Sequence, residues 1–127
     1  MKTILVDLVH CFFIVGHGMY APMYELLEQY PNKKILLTGC TDADFRERKI
    51  FNMPYEVFTL KNDPPKSQPI YFETMLREYH LSPEDTLYFE HNPSSAASAE
   101  AAGIQTYLYD NEKKDMHALK AFLDRQL

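Results

Sequence analysis

The sequence is poor in the features that mark several protein classes. It has only two cysteines, Cys11 and Cys40, too few for a disulfide framework, which predicts a reducing compartment. It has no basic block: Lys and Arg are scattered and the net charge is −5, which argues against a nucleic-acid surface. No apolar run approaches the length that spans a bilayer. The stretch Thr3–Leu8, interrupted by Asp7, lacks the apolar core and small-residue cleavage site of a secretory signal. These absences predict a soluble, cytoplasmic protein with neither nucleic acid nor membrane as partner.

What is present is a globular composition. The chain has 127 residues, of which 46% are hydrophobic, 13% aromatic and 24% charged, the profile of a single domain over 1–127 that folds without staples. Short apolar runs alternate with amphipathic stretches. Ile4–Val6 and Ile35–Leu37 are near-continuous apolar runs, as expected of parallel strands covered on both faces. Tyr55–Phe58, Thr86–Phe89 and Thr106–Tyr109 read as three more strands. Met23, Leu26, Leu27 and Tyr30 fall at i, i+3, i+4 and i+7, the spacing of one helical face, and Phe72, Met75, Leu76 and Tyr79 repeat it. A weaker helix covers Asp42–Lys49. Ser94–Ala102 is a small-residue helix with Asn92 as N-cap, Pro93 at its first position and Gly103 closing it. Met116, Leu119, Phe122 and Leu123 mark the last. The alternation predicts the α/β class: a three-layer α/β/α sandwich on a Rossmann-like, five-stranded parallel sheet.

In such sheets ligands bind at the carboxyl ends of the strands. Asp7 ends the first run, Thr38 followed by Gly39 the second. Lys66 follows the polar, Pro-rich loop Asn62–Pro65 after the third, and Glu90-His91-Asn92 ends the fourth. A carboxylate, a hydroxyl, an ammonium and a second acid on one rim suit a phosphoryl group: a nucleophile, two groups for phosphate oxygens and two carboxylates for a hard cation.

These four positions, in this order, resemble the four motifs of the haloacid dehalogenase (HAD)-like hydrolases. Lys66-Ser67-Gln68-Pro69-Ile70-Tyr71-Phe72 is similar to that family's Lys-Pro-Asp-Pro-x-Ile-Phe segment, and Tyr88 to Ile104 to its fourth motif with the following helix. The resemblance spans nearly the whole chain and implies a HAD-like fold. It implies that Asp7 attacks phosphorus to form an aspartyl-phosphate. It implies, too, that Thr38, Gly39 and Lys66 bind the phosphoryl group, with Asp7, Thr38 and Lys66 as the catalytic set. Mg²⁺ would be held by Asp7, the Val9 backbone carbonyl and the acidic motif at Glu90-His91. The substrate implied is a small phosphorylated molecule or a phosphoprotein. The segment His10–Gly18 matches the family's small hairpin flap, and no cap domain is expected.

Two departures shape the expectation. The family's phosphatases carry a second Asp two residues after the nucleophile as general acid and base, and here that residue is Val9. A positioned proton donor contributes about 10²–10⁴ in rate, so a phosphatase built on this chain is expected to be slow, favouring acyl or aryl phosphates. His91 and Ser95 stand where the family's metal site has acids, and imidazole suits Zn²⁺, Mn²⁺ or Ni²⁺ better than Mg²⁺. The alternative is a catalytically inactive HAD-like protein that binds a phosphorylated ligand or a protein partner through the same rim. His10 and His91 are candidates for replacement acid–base roles or solvated side chains, and Cys11 and Cys40 read as idle buried thiols. A receiver-like signalling domain is disfavoured because no Asp ends Tyr55–Phe58.

Overall fold

A computed structural model describes residues 1–127. The central strands are β1 (Thr3–Asp7), β4 (Lys34–Thr38) and β6 (Thr86–Glu90), and every residue of all three is buried. That is the burial their unbroken apolar runs require, since a parallel strand between two helical layers has no wet face. The edge strands β5 (Glu56–Thr59) and β7 (Gln105–Leu108) are half exposed. β5 lies one residue later than the run Tyr55–Phe58 suggests, and β7 one residue earlier than Thr106–Tyr109. Along an edge, half-buried Thr59 and exposed Gln105 extend the ladder, while Tyr109, buried just beyond β7, packs as core.

The five strands are all parallel, in the order β5-β4-β1-β6-β7. The chain steps outward from β1 through β4 to β5, then returns across the sheet to β6 and on to β7. The direction of winding reverses between β1 and β6, which places a crevice at their carboxyl ends. Helices α1 (Ala21–Leu27), α2 (Asp42–Arg48) and α5 (Met116–Gln126) pack on one face, while α3 (Pro69–Glu78) and α4 (Pro93–Ala101) cover the other. The predicted α/β/α layering is therefore present. A two-stranded antiparallel hairpin, β2 (Phe13–Ile14) and β3 (Gly18–Met19), follows β1 in the segment expected to form a flap. Its turn uses positive φ at Gly16 (+87°) and Gly18 (+100°), a region only glycine enters without strain.

Alternation along the strands sorts the core into two layers. Ile4, Val6, Leu36, Leu87 and Phe89 meet α1 and α5, whereas Leu5, Ile35, Leu37 and Tyr88 meet α3 and α4. Met23, Leu26 and Leu27 of α1 and Phe72, Met75 and Leu76 of α3 are the buried faces read from their spacing. α2 starts on a capping box: the Thr41 hydroxyl accepts from Asp44 N–H and the Asp44 carboxylate from Thr41 N–H. α4 begins as its sequence predicts, with the Asn92 side chain accepting from Ser94 and Ser95 N–H. No helix is long and apolar enough to cross a membrane.

Candidate functional site

The crevice at the β1/β6 switch point is a cleft of about 290 Å³. Asp7, Val9, Thr38, Gly39, Lys66, Glu90 and His91, all drawn from separate strand ends and loops, line it together. Asp7 and Glu90 are the last residues of β1 and β6, and both carboxylates are buried. Two buried carboxylates so close need compensation, and Lys66, carried in by the loop between β5 and α3, supplies it. Its Nζ lies 2.7 Å from Asp7 Oδ1 and 2.7 Å from Glu90 Oε1, and it also donates to the Tyr88 hydroxyl at 3.1 Å.

His91, the first residue after β6, closes the other side. Its Nδ1–H donates to Asp7 Oδ2 at 2.5 Å, its backbone N–H donates to the same oxygen at 3.3 Å, and Nδ1 lies 3.4 Å from Glu90 Oε2. The Cys11 thiol donates to Asp7 Oδ2 at 3.2 Å. Glu90 Oε1 also accepts from the Tyr88 hydroxyl, and Oε2 from Asn92 N–H at 3.1 Å.

The charges follow from these contacts. Burial alone would push the Asp7 carboxyl up, but the Lys66 ammonium and the His91 hydrogen bond outweigh it and hold Asp7 well below the usual carboxylate range. Burial likewise pulls Lys66 down, and Asp7 and Glu90 more than reverse that, keeping it charged. Hydrogen bonds to Asp7 and then Glu90 push His91 up to about 9. At neutral pH Asp7 is therefore a carboxylate, Lys66 an ammonium and His91 an imidazolium.

Thr38 is placed on the rim, but its hydroxyl is engaged locally: it donates to Cys40 Sγ at 3.1 Å and accepts from Cys40 N–H at 3.1 Å. The Tyr71 hydroxyl pins its backbone, donating to Thr38 O at 2.7 Å and accepting from Thr38 N–H at 3.1 Å. His10 sits at positive φ (72°), with its ring 5.6 Å from that of His91 and edge-on to it.

The residues present do not fit the magnesium ion that the resemblance implies. Mg²⁺ wants a near-octahedral shell of oxygens, mostly carboxylate and water. Here every oxygen of Asp7 and Glu90 already faces an ammonium, imidazole, thiol, phenol or backbone donor. A nitrogen, His91 Nδ1, occupies the space between the two carboxylates.

Four contributors were not read from the sequence. Tyr88 was foreseeable, because it precedes Glu90 by two residues on a strand and so shares its face. Tyr71 and Cys11 had no such signal. Cys11, expected as an idle buried thiol, is brought back onto Asp7 by the turn after β1, in which Phe12 and Phe13 N–H both donate to Leu8 O. Arg48 of α2 lines the cleft beside Asp44, at the helical spacing of an (i, i+4) pair.

No protein-family model matches the chain, and no curated protein matches it either. Solved structures do. A HAD family enzyme from Bacteroides thetaiotaomicron, an aspartate-to-alanine mutant in complex with magnesium and inorganic phosphate, superposes with a TM-score of 0.71 at 12% identity, over 93% of this chain and 98% of that one. The core domain of a candidate phosphoglycolate phosphatase from Streptococcus pneumoniae gives a TM-score of 0.63 at 14% identity, covering 97% of this chain and 95% of that one. Against a candidate phosphoglycolate phosphatase from Lactobacillus plantarum the TM-score is 0.62 at 19% identity, over 77% of this chain and about half, 51%, of that one. At these identities the likeness is one of architecture, and it gives the chain the HAD-like fold.

Proposed function

We propose that the protein, acting as one domain over residues 1–127, is a HAD-like phosphatase or phosphotransferase that works through an aspartyl-phosphate at Asp7. The observation that carries this reading is the ionised, buried Asp7 at the switch point, with Lys66 on one carboxylate oxygen and a cleft of about 290 Å³ beside it. Such a carboxylate is a nucleophile held in place by its neighbours. An Asp7 oxygen forms a bond to phosphorus while the bond from phosphorus to the leaving-group oxygen breaks, and the leaving group departs with that electron pair. Water then attacks the phosphorus of the acyl phosphate, releasing inorganic phosphate and restoring Asp7. Lys66, with the Thr38 hydroxyl and the Gly39 backbone, offsets the charge on the equatorial oxygens.

Val9 supplies no proton to the leaving group. The substrates expected are therefore small phosphorylated molecules whose leaving group departs as a stable anion, acyl or aryl phosphates rather than alkyl ones. The test is single-turnover dephosphorylation of acetyl, aryl and alkyl phosphates by the wild type and Asp7→Asn, with intact-mass measurement at neutral pH to detect the phosphoryl adduct. The expected result is turnover of acyl and aryl substrates that Asp7→Asn loses. Equal rates for both proteins would overturn the reading, and phosphate binding without turnover in either would favour the non-catalytic alternative.

A further inference from the structure

Beyond that reading, and independently of it, we propose that Asp7, Cys11 and His91 form a binding site for a thiophilic divalent cation of the Zn²⁺ type, with its remaining coordination position open to the cleft.

The three side chains offer one carboxylate oxygen, one sulfur and one imidazole nitrogen, all within 4.8 Å of one another. That mixed donor set is the one Zn²⁺ takes and Mg²⁺ avoids. The spacings are close to those of a bound ion. Metal–ligand lengths of about 2.3 Å to sulfur and about 2.1 Å to nitrogen or oxygen place tetrahedral ligands about 3.4–3.6 Å apart. Cys11 Sγ lies 3.2 Å from Asp7 Oδ2 and 3.8 Å from His91 Nδ1, so two edges of the triangle need to move by only about 0.4 Å or less. The third, His91 Nδ1 to Asp7 Oδ2, is 2.5 Å because a hydrogen bond spans it. An ion replacing that proton opens this edge by about 0.9 Å.

The surroundings suit the ion as well as the ligands do. Lys66 holds the other Asp7 oxygen at 2.7 Å, which fixes the orientation of the carboxylate, the task of a second layer around a metal. The thiolate is the ligand form of cysteine, so uptake of a divalent ion displaces the thiol proton as well as the imidazole Nδ1 proton. The ion's two charges replace the two protons released, and the buried cluster keeps its net charge. Asp7 and His91 line the cleft while Cys11 is buried behind it, so three protein ligands leave an open site that takes water or an anion oxygen.

The test is optical and needs no substrate. Cobalt(II) is titrated into the purified full chain, followed in the near-ultraviolet for thiolate-to-cobalt charge transfer, and zinc is then added as competitor. The expected result is one cobalt per chain, a charge-transfer band, its loss on adding zinc, and no effect of excess magnesium. Cys11→Ser should abolish the band, and His91→Asn should weaken binding at least tenfold. Cys40→Ser, which alters the other thiol, should leave both unchanged. Urea unfolding of each variant checks that it is folded. Absence of the band in the folded wild type, a band that survives Cys11→Ser, or displacement by magnesium overturns the proposal. Because nothing is turned over, failure here is separate from failure of the phosphoryl-transfer reading.

Discussion

The two faces of the sheet both reach the cleft, and they reach it with different chemistry. On the α3/α4 side the inner layer ends in phenols: Tyr88 and Tyr71, both fully buried, put their hydroxyls on Glu90 and Lys66 and on the Thr38 backbone. On the α1/α5 side it ends in thiols: Cys11 meets Asp7, and Cys40 meets Thr38. A phenol is a rigid, strong hydrogen-bonding group on a large apolar body. A thiol is a small hydrophobe with a weak donor. The difference teaches that the charged pair is held in position from the α3/α4 side, while the α1/α5 side provides soft, exchangeable contacts.

The comparison breaks hardest at Lys66. Lys66→Ala leaves Asp7 and Glu90 buried with only the His91 imidazolium beside them, and removing one partner of a buried pair costs about 3–5 kcal/mol. Urea unfolding at neutral pH should register that loss, and a change under about 1 kcal/mol would mean that the carboxylates do not depend on the lysine. The apolar layers themselves should respond alike. Leu27→Ala on one face and Leu76→Ala on the other should each cost about 2–5 kcal/mol, and a consistent gap between them would move the asymmetry from the polar ends into the packing. Tyr88→Phe strips one oxygen from between Glu90 and Lys66 and should cost about 1–3 kcal/mol. Cys40→Ala should cost less than Tyr88→Phe in the same assay, and the reverse order would sink the assignment of strong and soft sides.

The smallest effect lies on the rim at α2. Thr41→Ala removes the capping hydroxyl and should cost about 1 kcal/mol. The backbone and side-chain hydrogen bonds of Thr41 hold the Asp44 carboxyl below its ordinary value of 3.8. A carboxylate lowered in the folded state stabilises the fold above that value and loses the contribution as pH falls through the folded one. The thermal midpoint should therefore fall between about pH 4 and lower pH. That acid limb should be shallower in Asp44→Asn, and identical limbs in the two proteins would remove Asp44 from the account.

Much of this was legible in the chain itself. The central strands declare themselves because a strand covered on both faces must be apolar throughout, and an Asp, a Thr or a Glu ending such a run stands out. Edge strands are less clear, since Glu56 and Gln105 pair in the ladder while facing water. The cleft was readable as a set of strand ends, yet its internal wiring was not. Whether His91 approaches Asp7 or turns to solvent depends on the turn after β6. Whether Cys11 is idle depends on a turn of the backbone that composition does not encode.

The position of β1 has a further consequence, for the order in which the molecule assembles. β1 is the middle strand, and Thr3 pairs with Thr86 across the very step that creates the cleft. Pairing so distant in sequence carries a loop-closure cost that local helices do not, and it slows folding. Until β6 docks, the apolar strand Ile4–Val6 has one open edge and Asp7 has neither Glu90 nor His91 beside it. The cleft therefore exists only once β1 and β6 have paired, and any optical or chemical signal from it reports that long-range step rather than the local helices.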